Sequence, residues 1–341
     1  MDSIPLNPFD SDLRAASLAP LWKVLSGLVP AEPRPSAVPH LWRWQDVRRP
    51  LLQAGELISA EAAERRVLVL ENPGLPGSSQ ITDTLYAGMQ LILPGETAPA
   101  HRHTQSAFRM VLEEGGGYTA VDGERIRMRR GDLILTPHWT WHDHGHDGDR
   151  PTIWLDGLDV PLVSFLKAGF REEGQTSSQN LVRPVGYSRA RFGGGLLPLE
   201  AVAGATSRLW AYSFAQAREA LEASKQDGRL DPHAGIMMRY INPANGGWAM
   251  PTLATTMRLL PRGFSGRPYR STDSTVLVIL EGTPLLETDA LGVVQLGPND
   301  VFAVPGWTRW RMVNQDAEAI VFSYSDRPVH EKLGLLREDL E

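Results

Sequence analysis

The feature that most constrains this chain is an internal repeat. Met89-Gln90-Leu91-Ile92-Leu93 returns as Met257-Arg258-Leu259-Leu260, and Gly131-Asp132-Leu133-Ile134-Leu135-Thr136-Pro137 returns as Asn299-Asp300-Val301-Phe302-Ala303-Val304-Pro305. Met257 stands 168 residues after Met89 and Asp300 stands 168 after Asp132, so one spacing relates both pairs. Self-similarity at a fixed offset marks a duplicated structural unit. In the first copy the texture is one of short apolar runs, at 65–70, 86–93, 108–112, 118–121, 133–136 and 153–155, separated by Gly, Pro and Asp. Many short strands with regular turns close into an antiparallel sandwich or barrel. The expected fold is all-β dominated, with two barrels in one chain.

The 341 residues divide on the same reading into five parts. Residues 1–62 form an N-terminal helical arm, in which Leu18, Leu21, Trp22 and Leu25 recur at helical spacing before Pro30, Pro33, Pro35 and Pro39 break the pattern. The first barrel takes 63–161. A mixed linker, 162–250, carries a helix over Phe214 to Ser224 and Gly/Pro-rich loops at 193–195 and 242–247. The second barrel takes 251–328 and a C-terminal tail 329–341. With no cysteine, disulfides, thiolate nucleophiles, iron–sulfur clusters and Cys-type zinc sites are excluded. The N-terminus lacks a basic region followed by an apolar run, and no stretch nears the roughly 18 apolar residues of a membrane span. A soluble, cytoplasmic protein without a membrane partner is expected. The net charge of −6, without a Lys/Arg run, argues against a nucleic-acid partner. Any anion must therefore be met by local arginines.

Six of the nine histidines fall between 101 and 146. His101 and His103, one residue apart on a strand, share a face. His142 lies beyond a further strand pattern and can return beside them. Three neutral imidazoles suit a first-row metal and leave two or three coordination positions open for other ligands. A carboxylate ligand a few residues after the His-x-His pair is missing, since Ala107 and Phe108 stand there, so the ion's double positive charge suits an anionic chelator. At an offset of 168, Tyr269 falls opposite His101, Ser271 opposite His103 and Trp310 opposite His142. The second barrel is therefore expected to be structural, with one metal per chain at most. Arg109 has the parity of His101 and His103 if their strand runs on, which aims its guanidinium into the same cavity to hold a carboxylate, and Arg65 at the head of another strand does likewise. The bland alternative is a structural pairing of Arg109 with Asp156. His144 shares parity with His142, near the metal but off it, either as proton acceptor or as a hydrogen-bonding neighbour. Asp156 can orient His144 or Arg109. Tyr86, Gly88 and Gln90 alternate onto one face as a pocket wall. His138 at a turn and His146 in a loop are expected bystanders. Gly115 to Gly117 reads as a hairpin, because no Lys-Ser/Thr follows to make a phosphate cradle.

The segments 99–109, 136–144 and 154–159, together with the duplicated barrel, resemble the gentisate 1,2-dioxygenases, a bicupin family that shares its pattern with salicylate and 1-hydroxy-2-naphthoate dioxygenases. The resemblance runs from Arg65 through the second barrel. It implies two double-stranded β-helix (jelly-roll) cupin barrels and a non-haem Fe(II) enzyme, usually a homotetramer, that uses O2 to cleave gentisate or a related 2-hydroxybenzoate between its carboxylate- and hydroxyl-bearing carbons, giving maleylpyruvate in aromatic degradation. His101, His103 and His142 would hold one Fe(II) per chain, Arg65 and Arg109 the carboxylate, and His144 would help deprotonate the hydroxyl, while Tyr86 and Gln90 help select ring substituents. Two readings stand beside it: a cupin decarboxylase or isomerase using the same histidines with another metal, and a non-catalytic cupin that binds a small carboxylate.

Overall fold

A computed structural model describes residues 8–199, 204 and 206–341. Of the described residues, those from 8 to 34 form a separate small unit holding the helices Pro8–Ala15 and Leu21–Leu28, and those from 35 onwards form a second, compact one.

The larger unit is a pair of cupin barrels. In the first, a six-stranded sheet runs in the order 211–212, 133–136, 107–113, 152–158, 86–92, 66–69, and faces a five-stranded sheet of 171–173, 97–103, 142–146, 117–121 and 124–127. The second barrel repeats it with a six-stranded sheet of 40–42, 301–304, 275–281, 319–325, 254–260 and 236–239, and a four-stranded one of 264–265, 310–314, 285–288 and 292–295. Tyr86–Ile92 corresponds to Ala254–Leu260, Ala107–Glu113 to Thr275–Glu281, and His142–His146 to Trp310–Asn314, each at an offset of 168. The spacing slips only at the last strand, where Thr152–Leu158 answers to Ala319–Ser325 at 167.

The inner strands of the six-stranded sheets are buried on both faces, and this explains their nearly unbroken apolar runs. Phe108, Met110 and Leu112 point out of the first barrel, as do Met89, Leu91, Ile153 and Leu155; they meet Met257, Leu259, Val276, Val278, Phe322 and Tyr324 from the second in one shared core. Phe108 stands edge-on to Phe322 and Tyr324 at ring separations of 5.4 and 4.8 Å. Gly157 is required beneath it, since a Cβ there would lie 2.1 Å from the Phe108 ring. The residues between, Arg109 and Val111, face the barrel interior, which is apolar at one end around Val111, Val121, Ile134 and Trp154 and polar at the other.

The segments outside the barrels are less separate than their sequence suggests. His40–Trp42, from the stretch read as helical arm, adds a strand to the second barrel beside Val301–Val304. The linker contributes an edge strand to each barrel, Ala211–Tyr212 to the first and Ile236–Arg239 to the second. Its helix spans Phe214–Gln226, and the Asp132 carboxylate accepts the Phe214 backbone N–H at 2.9 Å. Gly115 to Gly117 is a corner between the two sheets of the first barrel, not a hairpin: the strand before it pairs with 133–136 and 152–158, the strand after it with 124–127 and 142–146. A Cβ on Gly115 would lie 1.9 Å from the Arg150 carbonyl oxygen, so only glycine passes. Among the described residues no helix is long and apolar enough to cross a membrane.

Candidate metal centre

The five-stranded sheet carries the histidines. His101 on Thr97–His103 pairs directly with His142 on His142–His146 after the ladder slips between Ala98 and His101. With His103 two residues on, the three rings lie 4.1 to 5.3 Å apart and one nitrogen of each falls within 4.8 Å of the others. A backbone carbonyl orients every ring: Nδ1 of His103 donates to Gln105 at 2.9 Å, Nδ1 of His142 to Thr140 at 2.9 Å, and Nδ1 of His101 reaches Pro99 at 3.2 Å. For His103 and His142 this fixes the proton on Nδ1 and turns the Nε2 lone pair inward, as metal-binding imidazoles require. His142 Nε2 is buried without a hydrogen-bond partner. Such a lone pair is costly unless something electrophilic meets it. The three donors therefore suit a divalent first-row ion.

The charges around the centre keep the imidazoles neutral. Burial, then the Arg65, His103 and Arg109 charges, push His101 down to about 2. Burial takes His103 to about 4 and His142 well below its ordinary value. Two contacts meet at His101 Nδ1: Arg65 Nη2 at 2.6 Å and the Pro99 carbonyl at 3.2 Å. They belong to different tautomers, because a nitrogen that donates to Pro99 cannot also accept from Arg65. With Nδ1 protonated, Arg65 is left with the Pro99 carbonyl, 3.1 Å from Nη2.

Arg109 reaches the same cavity from the opposite wall. Its strand, Ala107–Glu113, is not a continuation of the histidine strand but belongs to the six-stranded sheet. There it stands opposite Asp156, which in turn faces Gly88, while Trp154 faces Gln90 and Leu158 faces Tyr86. One surface thus collects Tyr86, Gly88, Gln90, Asp156 and Arg109. Both members of the Arg109–Asp156 pair are buried, with Nε 3.6 Å from Oδ1, an ion pair without a hydrogen bond. Arg109 Nη1 instead donates to the Thr136 hydroxyl. Burial lowers Arg109 to about 10, where it remains charged, and raises Asp156 to about 6 against the pull of Arg109. Of the two partners open to Asp156 in the sequence, the structure brings it to Arg109, and Trp154 Nε1 donates to its Oδ1 at 2.8 Å. Arg65 and Gln90 line one small cavity. A Cβ on Gly88 would fall 2.5 Å from Val67 and 2.7 Å from the Tyr86 hydroxyl, so the Tyr86 ring lies over a position that only glycine leaves free.

His144 lies 6.2 Å from the His142 ring and against Trp154. Its Nδ1 is 2.9 Å from the Thr119 hydroxyl, and its Nε2 is buried and unpartnered. Burial, then the Arg109 and Arg65 charges, hold it well below its ordinary value. Thr119 escaped the sequence reading because its importance depends on cross-strand register, Thr119 opposite His144, which no local motif carries. His138 is exposed. His146 is not in a loop: it ends the strand His142–His146, buried, with Nδ1 accepting from Gly148 N–H at 3.2 Å. In the second barrel Tyr269 and Trp310 bridge as His101 and His142 do in the first, with their rings 5.1 Å apart.

Residues 88–159 match the family model of a cupin domain. The chain is 46% identical to gentisate 1,2-dioxygenase 1 of Aquipseudomonas alcaligenes over 97% of its own length and 95% of the relative's. The chain belongs to the gentisate 1,2-dioxygenase family. Within that family it is also 38% identical to a 5-aminosalicylate 1,2-dioxygenase of Comamonas sp, covering 98% of this chain and 90% of that one. The crystal structure of salicylate 1,2-dioxygenase from Pseudoaminobacter salicylatoxidans, in adducts with gentisate, superposes with a TM-score of 0.92 at 34% identity, covering 99% of this chain and 96% of that chain. These matches bear out the bicupin fold and the family read from the sequence.

Proposed function

We propose that this chain is a gentisate 1,2-dioxygenase, with His101, His103 and His142 holding one Fe(II). The observation that carries the reading is the convergence of three carbonyl-oriented imidazoles beside two guanidiniums, Arg65 and Arg109, that among the described residues one buried carboxylate, Asp156, balances. Such a cavity favours an anion that brings its own charge. A ferrous ion held there would supply the electron path between ring and O2 and an acidifying contact for the substrate hydroxyl.

The protein's own groups do the rest. Arg109, steadied by Asp156 and Thr136, and Arg65, withdrawn from His101, receive the substrate carboxylate. In the tautomer that donates from Nδ1 to Thr119, His144 presents an Nε2 lone pair to the phenolic hydroxyl and accepts its proton. An arriving anion offsets the charges that depress His144, so the base strengthens when substrate is bound. Tyr86, Gly88 and Gln90 form the wall against which ring substituents are sorted. The bond between the carboxylate-bearing and hydroxyl-bearing carbons breaks, and both atoms of one O2 end in maleylpyruvate.

We place the enzyme in the cytoplasm as a homotetramer; the apolar face of the Leu21–Leu28 helix, with Trp22 72% exposed, supports an assembly contact. The deciding experiment is oxygen uptake by Fe(II)-loaded protein with gentisate, with the product identified by mass. One O2 per maleylpyruvate supports the proposal. Uptake with salicylate or 1-hydroxy-2-naphthoate alone would move the substrate within the family, and turnover without O2 would overturn the dioxygenase reading.

A further inference from the structure

The second barrel has lost its histidines but not its cavity. A space of about 360 Å³ lies in it at the place the metal centre takes in the first, lined by Arg258, Tyr269, Asp273, Thr256, Ser323 and, towards the C-terminus, Arg327. Arg258 occupies the position of Gln90 in the repeat. It is 2% exposed, yet no carboxylate lies within ion-pair distance of it among the described residues. Its Nη1 and Nη2 reach the thioethers of Met312 and Met237, at 3.8 and 3.3 Å, and its Nε has no partner. The Trp310 ring lies 5.4 Å away and the Tyr269 hydroxyl lies against it. Thioethers are weak acceptors, so this guanidinium is buried without the anion that such a group requires.

The other charges in the cavity are already engaged. Arg327 pairs with Glu331 at 3.0 Å and Glu338 at 2.9 Å. Asp273 accepts from the hydroxyls of Ser271 and Ser325 and faces Arg327. Arg239 stands at the mouth, over Trp248. What remains buried without a carboxylate partner among the described residues is the Arg258 guanidinium, beside the paired hydroxyls of Thr256 and Ser323, 2.6 Å apart. We infer that the second barrel is a binding site for a small carboxylate of about benzoate size, its carboxylate seated on Arg258. The cavity volume falls in the range of small-molecule pockets, and the apolar flank of Met237, Trp248 and Tyr324 accommodates a compact body. The site needs no metal and does not depend on the activity proposed for the first barrel.

The test uses the full chain and 4-bromobenzoate, which lacks the ortho hydroxyl needed to chelate a metal. In crystals grown with it, the bromine anomalous signal is expected in the second barrel, with the carboxylate on Arg258. In solution, calorimetric titration of benzoate is expected to show that Arg258→Gln weakens this site by about tenfold to a hundredfold, the loss of one or two charge-assisted hydrogen bonds, whereas Arg258→Lys keeps part of the affinity and gentisate-dependent oxygen uptake is unchanged in both. Bromine signal only near Arg109, or none, overturns the inference from the wild-type protein alone, so a variant that fails to fold leaves it decidable. Wild-type benzoate affinity in a folded Arg258→Gln protein overturns it as well.

Discussion

Replacing Arg109 by Met keeps most of the side-chain length and removes only the charge and its donors. Two consequences separate by pH. The first concerns Asp156, whose ordinary carboxyl value of 3.8 is raised to about 6. The folded state therefore holds that proton where the unfolded state has released it, and the contribution of this group to wild-type stability falls as pH rises from about 4 to about 6, then levels. Without Arg109 the folded value climbs further, so the fall continues above pH 6 at about 1.4 kcal/mol per pH unit. Because Asp156 can escape by taking up a proton, the electrostatic loss at pH 7 is capped near 1.4 kcal/mol, well under the roughly 3–5 kcal/mol of a buried pair that cannot neutralise. The second consequence is for the substrate: losing a bidentate contact costs about 3 kcal/mol, or roughly a hundredfold in gentisate affinity. Thermal unfolding of both proteins at pH 5, 7 and 8 and anaerobic calorimetric titration of gentisate would measure the two effects. Midpoints that differ equally at pH 5 and pH 8 would refute the account of Asp156, and unchanged affinity would remove Arg109 from the carboxylate site.

His142→Ala is expected to abolish bound iron, from one per chain to none by elemental analysis, together with oxygen uptake; retained iron would exclude His142 as a ligand. Thr119→Val should leave iron and thermal stability nearly intact while lowering kcat roughly five- to tenfold, the worth of one orienting hydrogen bond, and normal turnover would show that His144 needs no such support. Gly88→Ala places a methyl 2.5 Å from Val67 and 2.7 Å from the Tyr86 hydroxyl. It should destabilise by about 1–3 kcal/mol and shift the kcat/KM ratio between gentisate and salicylate, whereas a ratio left alone would mean that Tyr86 does not sort substituents. Phe108→Ala, which empties the contact between barrels, should cost about 3–5 kcal/mol; a melting profile like the wild type's would mean that the shared core relaxes around the gap.

The duplication was legible because its copies keep residue types and spacing together, and the histidine triad because alternation on a strand puts His101 and His103 on one face. Arg109 was placed in the right cavity by the wrong route: parity was carried across a break at which the chain changes sheet, and the facing wall of a closed barrel happens to present that residue inward. Thr119, Thr136 and the choice of Asp156 for Arg109 depend on which strands lie side by side, and pairing register is non-local. His146 looked like a loop residue among Asp and Gly, although a buried strand end tolerates Gly145 where the Tyr118 ring leaves no room for a Cβ.

The strand His40–Trp42 closes a topological loop that spans most of the molecule. Its partner, Val301–Val304, comes some 260 residues later, and its neighbours Arg43 and Trp44 bind Asp300 at 2.9 and 2.8 Å. The first barrel therefore cannot be cut away as a free-standing module: a break between the barrels strands an edge of the second on a fragment that carries the first. Any attempt to graft one barrel elsewhere must carry both halves together.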